Sequence, residues 1–285
     1  MYLIRGKHNL ELFKKLYKDT KLHATIGNFD GLHKGHQSIL SKIKKRAEET
    51  NASSIVFFTE PHASEYFAIS TNTDAEAPPR ICPWRKKFEL LEEYGIDFAF
   101  FLKFNSSLRK MTPETFISDI LEPVGLLSLT VGDDFRFGAN RAGDFQLLRE
   151  WGSKNNINVT NTETYLHLNE RVSSTRIRKA LLENNFSLAK ELLGRPYTFA
   201  GKVVHGQHLG RTIGIPTANI WLPKQKLPIS GVYAVRCSLD NKSIDGIANM
   251  GVRPTVGGSH PVLEVHLFNF NSNIYSKRLD VQFIN

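Results

Sequence analysis

"IGNFDGLHKGHQSIL", residues 26–40, decides how the first half of the chain is read. A β-like run stops at Asn28. A turn crowded with Asp30, Gly31, His33, Gly35 and His36 follows, and helical spacing of apolar residues then begins. Glycines permit tight turns and let a ligand approach the main chain. A helix over 36–49 directs unpaired amides and the positive end of its dipole at that turn, which suits phosphate. Two imidazoles three positions apart can donate hydrogen bonds to an anion held there, and to oxygens that gain charge as a phosphoanhydride breaks. Taken singly, either histidine also fits an exposed polar residue near a helix cap.

Outward from this stretch, short β-branched or aromatic runs alternate with helical patterns up to about residue 190. Strands are expected over 22–27, 53–58, 97–104, 127–132 and 157–161, and helices over 36–49, 83–94, 113–121 and 144–154. Such alternation predicts a parallel sheet with helices on both faces. Ligands bind such sheets outside the carboxyl ends of the strands. Three loops are expected there: "GNFDGLHKGH", "FTEPHASEYF" and "GDDFRFG".

The texture changes near "LLGRPYTFAG", residues 192–201. Beyond it lie short β-like runs over 198–206, 231–239, 242–250, 262–270 and 277–284, punctuated by Gly and Pro. Five or six short strands with turn signals predict a small antiparallel barrel. The boundary is set near residue 195. Residues 71–79, "TNTDAEAPP", read as a loop.

Two further stretches carry chemistry. In "RVSSTRIRKAL" (171–181), serines precede a helical run, as caps do. Arg176, Arg178 and Lys179 at a helix start oppose the dipole, a conflict that a bound anion removes. Hydroxyls of Ser174 and Thr175 with the Arg178 guanidinium suit a triphosphate. In "GKVVHGQHLGRTIGIPTANI" (201–220), Gly206, Gly210 and Gly214 with Lys202 and Arg211 make an electropositive loop whose amides can face phosphates. Thr217 and Asn219 alternate along extended backbone and point the same way. Neutral oxygens of this kind, joined by substrate phosphates, suit Mg²⁺.

Composition sets the outer limits. The 285 residues allow one large domain or two ordinary ones, and 41% are apolar. No apolar run approaches the ~20 residues of a membrane helix, so no membrane association is expected. The first residues lack the pattern of a signal peptide. Cys82 and Cys237 have no metal-like spacing and read as thiols of a cytoplasmic protein. The net charge of +9 draws anions. Because Lys and Arg are spread along the chain, small anionic substrates are favoured over nucleic acid, and "KIKKRAEE" and "WRKK" read as solvated helix faces.

The pair "GNFDGLHKGH" and "SSTRIRKAL", with "VGDDFRFGANRAGD" (131–144) between them, resembles the adenylyltransferase module of prokaryotic bifunctional riboflavin kinase/FAD synthetases. The resemblance implies binding of ATP and FMN and formation of FAD and pyrophosphate. It implies that His33, His36, Ser174, Thr175 and Arg178 contact ATP phosphates and that Asn28, Phe29 and Gly31 line the nucleotide pocket. His62, Asp134, Phe135 and Arg136 fall on the flavin side. Ala63 stands where the family usually has a second proline.

The later half is similar to the riboflavin kinase module of the same family, a six-stranded antiparallel barrel. "GRTIGIPTAN", "ANMGVRPTVGG" and "LEVHLFNF" carry the likeness. It implies phosphorylation of riboflavin by ATP, with Lys202, Gly206, Gly210, Arg211, Gly214, Thr217 and Asn219 at the nucleotide, Mg²⁺ on Thr217 and Asn219, and Glu264 as the base. The expected architecture is therefore α/β. A doubly wound, Rossmann-like nucleotidyltransferase sheet occupies 1–194, and the barrel occupies 195–285 without the family's usual C-terminal helix. That last departure keeps a monofunctional FMN adenylyltransferase in view. The positive charge keeps a flavin-responsive RNA-binding regulator in view.

Overall fold

Strand β2 (Leu22–Ile26) is buried along almost its whole length, as a strand covered on both faces must be. The computed structural model describes residues 1–70, 77–206, 216–222, 226–240, 242–255 and 258–284. They form two compact units, Met1–Pro78 with Lys87–Val172 and Pro79–Lys86 with Ser173–Asn285.

In the first unit the chain runs β1 (Tyr2–Arg5), α1 (Leu10–Leu16), β2, α2 (Lys34–Glu49), β3 (Ser53–Glu60), α3 (Ala63–Ser70) and, from Lys87 on, α4 (Trp84–Glu93). It continues through β4 (Phe98–Lys103), α5 (Ser106–Lys110), α6 (Pro113–Phe116), β5 (Leu126–Val131), α7 (Phe145–Lys154), β6 (Asn158–Asn161) and a hairpin of β7 (Leu166–His167) and β8 (Glu170–Arg171). Six strands make one parallel sheet in the order β1-β4-β3-β2-β5-β6. The order runs one way from β2 through β3 and the other way through β5. The loop leaving β2 therefore stands at the switch point, where open α/β sheets bind ligands. Alternation along β3 fills both faces. Ile55 and Phe57 join Phe13, Leu148 and Trp151 on one side, and Val56 and Phe58 join Leu40, Ile43, Leu90 and Leu91 on the other. This is the doubly wound sheet expected from the alternating pattern. Its edge strand β1 is an addition, because four residues at the terminus carry little periodicity.

The second unit holds α8 (Ser174–Leu182), α9 (Phe186–Leu193) and six strands: β9 (Thr198–Val204), β10 (Ala218–Ile220), β11 (Gly231–Leu239), β12 (Lys242–Thr255), β13 (Gly258–Leu267) and β14 (Arg278–Phe283). The strands close into an antiparallel barrel in the order β10-β13-β12-β11-β14-β9. Period-2 alternation sends Val203, Ile220, Tyr233, Val235, Ala248, Met250, Leu263, Val265, Leu279 and Val281 inward. Closure leaves no edge open to aggregation. The three-residue β10 gives too short a pattern to be read as a strand by alternation alone. Cys82 and Cys237 are buried thiols, and burial pushes the Cys237 thiol up to about 12.

Helix α9 belongs to the barrel's packing although its sequence is helical like the first half. Asn185 caps it by accepting the Leu188 amide at 2.9 Å. Phe186 then stacks on Phe283 at 6.0 Å and meets Tyr233 edge-on at 5.4 Å. Removing this ring should cost about 3–5 kcal/mol, the range for a buried Phe truncated to Ala. Phe186→Ala should therefore speed amide exchange in β11 and β14 while leaving β2 and α2 at their original protection. Equal loss in both sets of strands would show that the two units do not unfold separately.

Candidate active sites

The turn after β2 is built around its histidines. His33 is extended and caps α2, its Nδ1 accepting the His36 amide at 3.3 Å. An accepting Nδ1 carries no proton, so the His33 proton sits on Nε2. The cap is not an exposed one, since His33 is buried. The His33 and His36 rings stack with centroids 3.6 Å apart, and Phe29 lies 5.0 Å from His36. Burial, then the neighbouring His33 imidazole, which disfavours a second proton on the pair, and the Lys87 charge hold His36 well below the usual imidazole range. Its buried Nδ1 has no hydrogen-bond partner among the described residues. Gly31 takes φ 79°, a left-handed conformation that a side chain would strain. Asn28 accepts the Thr59 hydroxyl at 3.2 Å, and Phe29 is part of the core with Leu32 and Leu40.

The second and third loops follow β3 and β5. His62 is buried, its amide donating to Glu65 Oε2 at 3.0 Å. Lys87 Nζ donates to His62 Nε2 at 3.2 Å, which places the His62 proton on Nδ1. Lys87 is 0% exposed, so "WRKK" is not a solvated face throughout, and this correction adds a residue that the sequence reading missed. After β5, Phe135 stacks against Phe137 at 5.8 Å and leans on the core, while Asp134 is exposed beside Arg171 at 3.2 Å. Arg136 reaches back to the Phe135 carbonyl. The Thr164 hydroxyl, then Arg171, hold the Asp133 carboxyl below its usual range. Arg171 thereby fastens this loop to the β7–β8 hairpin.

In the second unit, Ser173 caps α8 by accepting the Arg176 amide at 3.3 Å. Ser174 and Thr175 occupy the first turn, and Arg178 Nε donates to the Pro79 carbonyl at 2.7 Å.

On the barrel, register brings Glu264 opposite Asn219 on one side and Asn249 on the other. Their strand neighbours Leu263, Val265, Ile220, Ala248 and Met250 point inward, so these three polar residues form a row on the outer surface. Asn249 was missed from sequence, although its place between inward-facing Ala248 and Met250 predicts an outward side chain. Gly206 lies against Asn219, and a Cβ there would run into the Asn219 amide. Lys202 is exposed on β9. Gly210, Arg211 and Gly214 lie outside the described residues, as does most of the 71–79 loop. A cavity of about 340 Å³ is lined by Thr217, Val265, Leu267, Phe270 and Tyr275 among others. His205 stacks on Tyr275 at 3.9 Å. Glu264 projects from the opposite side of β13 to Val265 and Leu267.

A parallel sheet with a histidine-capped helix at its switch point, joined in one chain to a barrel bearing an Asn–Glu–Asn row, defines a class of two-module, nucleotide-using transferases. The family model for FAD synthetase matches residues 16–176, and that for riboflavin kinase matches 193–285. The chain is 42% identical over 283 residues to the bifunctional riboflavin kinase/FMN adenylyltransferase of Escherichia coli K12, covering 99% of this chain and 88% of that protein. The protein of the same name in Pseudomonas fluorescens is also 42% identical, over 285 residues, with the same coverage. A solved structure described as a macrolide-efflux protein from Streptococcus pneumoniae superposes with TM-score 0.80 at 27% identity, covering all of this chain and 90% of that one. The chain belongs to the bifunctional riboflavin kinase/FMN adenylyltransferase family. Among the described residues no helix is long and apolar enough to cross a membrane.

The lowered His36 pKa has a thermodynamic sign. Above about pH 6.5, the ordinary imidazole value, native and unfolded His36 are both neutral. Below it the unfolded chain takes up a proton that the native site refuses, so stability falls with pH. His23, lowered by burial and then by Arg46, acts in the same direction. Thermal melting should therefore move to lower temperature from pH 7 to pH 5, and His36→Gln should flatten that slope. An unchanged slope in the variant would show that His36 is not held neutral.

Proposed function

We propose that the chain makes flavin cofactors in two steps: ATP phosphorylates riboflavin to FMN on the barrel, and ATP then adenylylates FMN to FAD on the parallel sheet, with release of pyrophosphate. The observation that carries this reading is that both family models match this one chain in order, FAD synthetase over 16–176 and riboflavin kinase over 193–285. We assign the first module to 1–194 and the second to 195–285. The polar row on the barrel favours a working kinase over a chain that only adenylylates.

In adenylyl transfer, an FMN phosphate oxygen attacks the α-phosphorus of ATP, and the bond to the β-phosphate bridging oxygen breaks. His33 Nε2–H and neutral His36 are assigned to the oxygens that gain charge, with the amides of the first turn of α2. Ser174, Thr175 and Arg178 are assigned to the triphosphate, and Asn28, Phe29 and Gly31 to the nucleotide pocket. His62, Asp134, Phe135 and Arg136 are assigned to the flavin. In phosphorylation, Glu264 accepts the proton of the ribityl hydroxyl as its oxygen attacks the γ-phosphorus and ADP leaves. Lys202, Gly206, Gly210, Arg211 and Gly214 are assigned to the ATP phosphates.

Thr217 and Asn219 fit Mg²⁺ in one respect: they offer neutral oxygens, Asn219 from the strand position paired with Glu264 and Thr217 two residues before it, a donor set that leaves the ion to share substrate phosphates and water. When bound, it would neutralise phosphate charge. Buried thiols and ATP as substrate support a cytoplasmic setting.

Incubation with riboflavin, ATP and Mg²⁺ should give both FMN and FAD. His36→Ala should slow FAD formation by about 10² to 10³, the scale for one lost oxyanion donor, with FMN formation retained. Glu264→Gln should lower the rate of FMN formation by roughly 10² to 10⁴, the usual share of a general base, with FAD still made from supplied FMN. Parallel loss of both activities in either folded variant would defeat the two-site assignment.

A further inference from the structure

The ladder between β10 and β13 stops at Ala218, opposite Val265. One step further, the same register puts Thr217 opposite His266. Pro216, the next residue, has no amide hydrogen and cannot continue the ladder. The backbone thus gives up its hold on the segment where the kinase reading needs it most, at Thr217. A side chain takes over. His266 Nδ1 donates to the Pro216 carbonyl at 2.8 Å. A carbonyl only accepts, so the proton is on Nδ1. His266 lies two residues from Glu264 on the same face of β13, and Glu264 stands opposite Asn219, so these three side chains share one outward patch, which Thr217 borders just before β10. Phe268 meets the His266 ring edge-on at 5.8 Å and limits its swing. On the other side of this strut, Pro216 and Thr217 line the 340 Å³ cavity with Phe270 and Tyr275.

We propose that His266 is a positioning residue for riboflavin phosphorylation: it ties the Pro216 carbonyl to β13 and so fixes Thr217 and Asn219 in register with Glu264. This rests on the assignment of that patch to the kinase step. The role assigned to the imidazole is toward the frame and not toward either substrate. It replaces a ladder bond that proline forbids, and it makes the nucleotide-side segment and the base-bearing strand one rigid frame.

The geometry sets a contrast between conservative replacements. In asparagine the amide nitrogen is as many bonds from Cβ as Nδ1 is in histidine, so His266→Asn can still donate to Pro216. In glutamine the nitrogen is one bond further out, matching Nε2, and phenylalanine keeps the ring without a donor. Full-length His266→Gln and His266→Phe should raise the KM for Mg·ATP in riboflavin phosphorylation by about tenfold, the scale of one lost hydrogen bond. The KM for riboflavin should stay within about twofold. His266→Asn should restore most of the loss, and all three variants should make FAD from supplied FMN at the original rate. Nitrogen NMR of the unaltered chain should show a protonated His266 Nδ1 and a bare Nε2. Asparagine behaving like phenylalanine, or a proton on Nε2 alone, would overturn the proposal. Should Glu264→Gln prove fully active, the base assignment falls, while the asparagine–glutamine contrast still decides the role of His266.

Discussion

Helix α2 begins where a side-chain acceptor, the His33 imidazole, closes its first turn. A serine or aspartate would cap as well. The choice of His33 does more, because accepting at Nδ1 leaves Nε2–H as a donor of known direction. Stacking then carries the constraint to His36, and the strongly lowered pKa of that ring removes a charge the fold could not solvate. On the neighbouring loop, Lys87 fixes the opposite tautomer in His62. Three histidines thus hold set roles through contacts inside one sheet-and-helix unit. The sheet supplies the place, since β2 lies where the strand order reverses.

The barrel works by a different rule. Alternation divides each strand into an apolar lining and an outward set, and closure ties every register to its neighbours. A slip of one residue in β13 would exchange Glu264 for Val265, putting a carboxylate into the core and an aliphatic side chain into the polar row. Register there is consequently as strongly specified as burial can make it, and the catalytic assignment inherits that rigidity. The exception is β10, only three residues long, where side chains supplement the ladder.

Much of this was legible in the sequence, for physical reasons that differ by element. Strands β2, β3 and β5 are short runs rich in apolar and β-branched residues between turn signals, so the parallel sheet could be read directly. The barrel followed from short runs with turns, and the outward Glu264 from strict alternation in "VLEVHLFNF". Where α9 packs was not legible, because helical periodicity does not say what a helix covers. Lys87 was misread as solvated, yet it precedes Leu90 and Leu91 by three and four residues and so shares their buried stripe. The tautomers of His33, His62 and His266 were beyond reach, because each is set by a partner distant along the chain or by a backbone group.

The segment Pro79–Lys86 belongs to the second unit although both its flanks belong to the first. Its partners come late: the Arg80 amide bonds the Lys226 carbonyl, and Arg178 holds the Pro79 carbonyl across 99 residues of chain. During synthesis, these residues leave the ribosome long before anything they bind has been translated. The parallel sheet needs nothing beyond β6 and can form first, carrying the segment as an unsatisfied loop. The second unit matures only when the barrel arrives, and its long loop closures make it the slower partner. A gene cut near residue 195 would therefore encode a barrel short of α8, α9 and this segment, so these two activities are linked by folding order and inherited together.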